Sequence, residues 1–160
     1  MRYWFVAGSA VLLLGGIACR TAAGADGGLA VADAGSDPLR LELLMPAHVR
    51  AGERLPIRLR VQNVSGRAID LYLRGRAPTF DVLVARPSGE VVWRRLEGEI
   101  IPAIVHLHPL APGERLEIET AWDQRAQNGR AAGAGDYVAT GLLLVEGEPL
   151  RTPSASFTVR

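Results

Sequence analysis

Cysteine is all but missing from this 160-residue chain: Cys19 stands alone, so no internal disulfide can form. Lysine is missing altogether, and all 18 basic residues are arginine. Against 17 acids they leave a formal charge of +1, which removes any electrostatic case for nucleic acid or another polyanion. The apolar run Tyr3 to Ala18 is shorter than the roughly 20 residues a membrane-spanning helix needs. No segment repeats its apolar residues at the period of an amphipathic helix, about 3.6 residues. There is no G-x-S-x-G elbow, no glycine-rich phosphate loop and no zinc spacing. These absences argue against an enzyme, a cofactor and a small-molecule substrate.

What is present begins with a leader. Met1-Arg2 gives a short positive start, the uncharged run follows, and Gly16-Ile17-Ala18-Cys19 ends it. Small residues before a cysteine resemble the lipobox of bacterial lipoproteins, with glycine here where leucine is usual. Residues 1–18 therefore read as a signal peptide, with Cys19 as the lipidated new N-terminus. The alternative is an ordinary leader cleaved near Ala22-Ala23. Residues 20–37 are mainly Ala, Gly and Asp, too poor in apolar side chains to bury anything, and read as a flexible tether. The expected address is the bacterial cell envelope, with the membrane contacted through the lipid.

Residues 38–160 read as one folded domain. Its organising stretch is Thr79 to Arg95, a predicted β-hairpin in which Phe80, Val82 and Val84 alternate with Asp81, Leu83 and Ala85. Arg86-Pro87-Ser88-Gly89 supplies the turn, with glycine accepting the left-handed conformation. Leu55, Ile57, Leu59 and Val61 give the cleanest half-buried strand, and Leu116, Ile118, Thr120 and Trp122 another. Ile104 to Leu107 reads as a short edge strand ended by a turn at Pro109. About eight short strands separated by turn signals predict an all-β, antiparallel immunoglobulin-like β-sandwich without a disulfide. Phe80, Trp93 and Trp122 fall on inward positions and are the expected large core residues.

Phe80-Asp81-Val82, Gly89, Val92-Trp93-Arg94, Leu110 with Pro112-Gly113-Glu114, Trp122-Asp123 and Gly135-Asp136-Tyr137-Val138 occur in that order. Together they resemble the intracellular proteinase inhibitor family called BsuPI, over roughly Leu41 to Leu144. The resemblance implies an immunoglobulin-like domain, a serine protease as protein partner, and no catalytic residues. An exported, tethered chain would be out of reach of a cytosolic protease.

The candidate contact residues form two groups. Asp123, Arg125, Asn128 and Arg130 lie in the polar loop from Asp123 to Gly135, long enough to be a binding loop or a tolerated insertion. Leu83 and Val92 mark the hairpin's other face, apolar enough to be either a docking surface or a face covered by Leu96 to Leu107. Arg94-Arg95 read as solubilising charges, and Asp70, Asp81, Asp123 and Asp136 as turn caps. His106 and His108 share one face of an extended segment but lack a third ligand; exposed histidines are the expectation, and no metal site. The rival to an inhibitor is an adaptor lipoprotein that docks through a sheet edge.

Overall fold

The computed structural model describes residues 37–160; the leader, Cys19 and nearly all of the tether lie outside the described residues. The strands are β1 (Leu39–Leu44), β2 (His48–Val49), β3 (Leu55–Asn63), β4 (Ile69–Arg74), β5 (Phe80–Ala85) and β6 (Val91–Arg94). They continue as β7 (Val105–Leu110), β8 (Arg115–Trp122), β9 (Gly135–Leu143), β10 (Leu150–Arg151) and β11 (Ala155–Val159). The described residues contain no helix. Two strands beyond the expected set, β2 and β10, span two residues each, too short for any alternation to reveal.

One sheet runs β1-β3-β8 and a larger one β2-β11-β9-β5-β6, with β10 on β9. Every pair is antiparallel except β2 with β11. The pair β4-β7 forms a third ladder, joined to the chain beyond β9 by a bridge between Leu73 and Val145. Between the sheets Leu55, Ile57, Leu59 and Val61 of β3 are buried with Phe80, Val82, Val84, Leu143 and Trp122. The outer face of β3 and its neighbours is a charge ladder. Arg60 bonds Glu117 at 2.7 Å and reaches Glu42 at 3.5 Å, and the Arg60 hydrogen bond holds the Glu117 carboxyl below its ordinary range.

Trp122 is the packing centre. Its ring lies 5.4 Å from Tyr137, 6.0 Å from Phe157 and 6.1 Å from Trp93. Phe80 and Trp122 are fully buried, while Trp93 is half-buried and rests on the core rather than within it. β6 lies at the sheet margin beside a register shift at Val84/Ala85, and that position leaves one side of the indole accessible. The β5–β6 turn has the expected form: Gly89 sits at φ 91°, and Arg86 N–H donates to the Glu90 carbonyl at 2.8 Å.

Several side chains have roles that alternation does not reveal. Asp81 is buried, not a turn cap: its Oδ2 accepts from Arg94 Nε at 2.5 Å and its Oδ1 from the Leu96 N–H at 3.0 Å. Arg94 and Arg95 are likewise structural rather than solubilising. Arg95 donates to the Phe80 carbonyl and to Thr120 Oγ1. β7 also runs past the expected turn and includes Pro109, which the register places opposite Asp70.

Candidate functional site

Three connections meet at one end of the sandwich: the β2–β3 turn, the β5–β6 turn and the long loop between β8 and β9. Gln124 joins the first to the third. Its side chain is buried; Oε1 accepts the Gly52 N–H at 2.9 Å, and Nε2 donates to the Arg50 and Glu53 carbonyls at 2.7 and 2.6 Å. To point inward Gln124 takes φ 61°, a left-handed conformation that costs a side-chain-bearing residue about 1–2 kcal/mol. Satisfying three main-chain groups that turn away from any ladder offsets that strain.

The rest of the loop is equally tied. Trp122 Nε1 donates to the Arg125 carbonyl at 2.8 Å, and Ala132 N–H to the Gln124 carbonyl at 2.8 Å. Arg125 and Ala131 form a bridge, and Ala126 N–H donates to the Arg130 carbonyl at 2.8 Å. The Tyr137 hydroxyl reaches back to the Ala132 and Gly133 carbonyls at 2.7 and 2.6 Å, the tyrosine corner of immunoglobulin-like sandwiches. Arg86 stacks over the Tyr137 ring at 4.1 Å and donates to the same Ala132 carbonyl. Burial raises the Tyr137 phenol above its ordinary range, and the nearby Arg86 charge offsets part of that rise. The loop is therefore built into the fold; the tolerated-insertion alternative does not describe it.

The sequence-derived candidates distribute unevenly over this frame. Asp123 Oδ1 accepts the Arg125 N–H at 3.1 Å and Asn128 Oδ1 the Arg130 N–H at 3.0 Å, so both shape the backbone. Arg125 is exposed but folds back along the loop, its Nη1 donating to the Gly129 carbonyl at 2.8 Å. The Arg130 guanidinium is exposed, with no hydrogen-bond or ion-pair partner among the described residues. Asn128, Arg130 and Val92 meet at one open cleft of about 420 Å³, whose walls also include Arg86 and Glu90. Val92 packs on the core as well. Leu83 is half-buried on the outer sheet face and is not among the residues lining this cleft; of the segment Leu96 to Leu107 considered as its cover, the last three residues run in β7 beside β4.

His106 and His108 are half-buried, opposite the core residues Leu73 and Leu71, rather than exposed, because β7 turns them inward. His106 Nε2 is buried without a hydrogen-bond partner. Among the described residues no group of three or more His, Cys, Asp or Glu is placed to hold a metal ion. Gln124 is the residue that sequence reasoning missed as an anchor. Nothing in its type or neighbours separates it from Gln127, since only the fold brings Arg50 and Glu53 beside it.

A family model described as BsuPI, intracellular proteinase inhibitor, matches residues 44–148, a span that holds both the tyrosine corner and Gln124. The chain belongs to that family. No curated protein matches it. Among solved structures, a Pseudomonas fluorescens alkylpurine DNA glycosylase bound to abasic-site DNA is 20% identical with a TM-score of 0.44. The match covers 77% of this chain and 30% of that one. The CARDB domain of a Pyrococcus furiosus protein with di-metal ions is 16% identical at TM-score 0.40, covering 76% of this chain and 87% of that one. A Listeria innocua β-glucosidase is 11% identical at 0.42, covering 76% and 16%. This BsuPI member thus spans under a third of the glycosylase and of the glucosidase.

Proposed function

We propose that this chain inhibits a serine protease by occlusion, presenting the β8–β9 loop from a stiff sandwich, and that a lipid on Cys19 tethers it to the bacterial envelope. The observation that carries the reading is the loop's preorganisation. Its backbone is fixed by Gln124, Trp122 and Tyr137 before any partner arrives, so little conformational entropy remains to be lost on binding. Family membership supports a proteinase-inhibitor role, and the exposed Arg130 suits the acidic specificity pocket of a trypsin-like enzyme. The N–H and carbonyl of Arg130 are both engaged within the loop, which favours blocking over substrate-like threading.

The test uses the chain carrying Cys19→Ser, purified without lipid, against trypsin-like, chymotrypsin-like and subtilisin-like proteases. Arg130→Ala should weaken inhibition of a trypsin-like enzyme by about 2 kcal/mol, some thirtyfold, as an arginine hot spot does. Absence of inhibition across the panel would overturn the reading. Acyl mass on the mature N-terminus, lost in Cys19→Ala, tests the tether separately.

A further inference from the structure

The margin formed by β6 and the margin formed by β7 are finished differently. At β6, Gln127 closes the free side. Its N–H donates to the Val92 carbonyl and its Oε1 accepts the Arg94 N–H, both at 2.9 Å. Bare strand edges invite foreign strands, and this one is plugged.

β7 has no such plug. The Tyr72 carbonyl accepts from the Glu146 N–H at 2.7 Å, and the Arg74 N–H donates to the Leu144 carbonyl at 2.9 Å. The N–H and C=O of a strand residue point to the same side, so Tyr72 and Arg74 face away from β7. Their register partners Leu107 and Val105 must then face away from β4, and so must Pro109 opposite Asp70. Proline is tolerated there because its missing N–H falls on the free side. The Val105 and Leu107 main-chain groups have no partner among the described residues. On the same face Leu107 is 55% exposed, Tyr72 48% and Val105 40%. Unpaired donors and acceptors in an extended strand call for another main chain, which a lipid surface does not supply.

We propose that β7 pairs antiparallel with β7 of a second copy, about a twofold axis at Leu107. The pair of Leu107 residues exchanges both N–H···O=C bonds. Each Val105 N–H donates to the Pro109 carbonyl of the other copy, the one group Pro109 can still offer. Side chains match across the axis as well. The central row reads Tyr72, Leu107, Leu107, Tyr72. The rows on either side read Arg74, Val105, Pro109, Asp70 in opposite senses, so each ends in opposite charges. A register centred on His106 would also be twofold symmetric, but its rows would read Arg74, Val105, Leu107, Tyr72, with no acid at the far end to balance Arg74. The loop end stays free in the pair, so the dimer stands or falls independently of inhibition.

Cysteine pairs test the register in the full chain carrying Cys19→Ser. Hydrogen-bonded antiparallel partners have Cα atoms about 5.5 Å apart, within the range a disulfide spans. Leu107→Cys should therefore give a covalent dimer on mild oxidation. Tyr72→Cys, on the same row but roughly 14 Å from its own copy, should not. Leu107→Arg leaves the β4–β7 bonds intact and should convert a sedimenting dimer to monomer. The proposal is overturned by a parent chain that stays monomeric at sub-millimolar concentration, or by a dimer that survives Leu107→Arg. Equal cross-linking at Tyr72, or Val105→Cys pairing with Leu107→Cys, overturns it too. A monomer whose Leu107 amide exchanges slowly would also refute it, and would assign the edge to another segment of the same chain.

Discussion

The β8–β9 loop and the β4–β7 ladder reverse the usual relation between regular structure and order. The loop is polar, rich in glycine and free of any strand longer than a bridge, yet its carbonyls find partners in an indole, a phenol and a guanidinium, and its buried Gln124 amide ties it to the β2–β3 turn. The ladder is regular β-structure, yet it keeps an unpartnered imidazole nitrogen inside and an unpaired edge outside. Order follows the satisfaction of polar groups, not the regularity of the backbone.

The largest blow to this contrast should come from Trp122→Ala. It empties the centre shared by Trp93, Tyr137 and Phe157 and removes the indole donor to Arg125. A loss of about 3–5 kcal/mol in a urea titration is expected. Gln124→Ala should follow at roughly 2 kcal/mol, because it takes the partner from the Gly52 N–H and the Glu53 carbonyl and leaves the Arg50 carbonyl with the Glu53 N–H alone. Gln124→Gly should recover about 1 kcal/mol of that by relieving the positive φ, while the bonds stay lost. Replacing Gln124 to Ala134 by a Gly-Ser link should therefore destabilise the domain by at least as much as Gln124→Ala. A tolerated insertion would have made the same replacement nearly neutral.

Tyr137→Phe should cost about 1 kcal/mol, because the Gly133 carbonyl loses its donor while Arg86 still serves the Ala132 carbonyl. Its phenol also sets a pH limit. Burial raises the folded-state value, so the protonated form is favoured by folding. That stabilisation is intact below the ordinary phenol range of about 10 and is lost as pH climbs through the raised value. An absorbance titration should show Tyr137 ionising late, together with loosening of the loop. His106→Leu carries the smallest effect and the opposite sign. Removing a buried nitrogen that has no partner should stabilise by up to about 1 kcal/mol. Destabilisation there would mean that the imidazole is satisfied, and would weaken the contrast directly.

The hairpin, the β3 and β8 alternations and the all-β class were readable in the sequence, because period 2 reports which face is buried. Period 2 does not report what a buried face meets. Asp81 looked like any turn aspartate until β6 brought Arg94 to it. His106 and His108 looked exposed because Pro109 suggested that the strand ended there, whereas an edge strand accommodates proline on its free side. Gln124 was invisible for a related reason: its partners are 71 to 74 residues away. The lipidation of Cys19 remains an expectation of the leader.

The central position of β3 also has a consequence for time. Its neighbour β1 is close in sequence, but β8 arrives late; 59 residues separate Arg58 from Glu117. One side of β3 can zip as soon as it is made, while the other waits for β4 to β7 to be threaded and for β8 to return. Closing so large a loop before any contact rewards it slows the search, and sandwiches of this kind fold in roughly milliseconds to seconds. Trp122, the last residue of β8, reaches its site only when that ladder completes. The burial of its fluorescence should therefore trail collapse, and mark the step at which β3 stops offering an open edge.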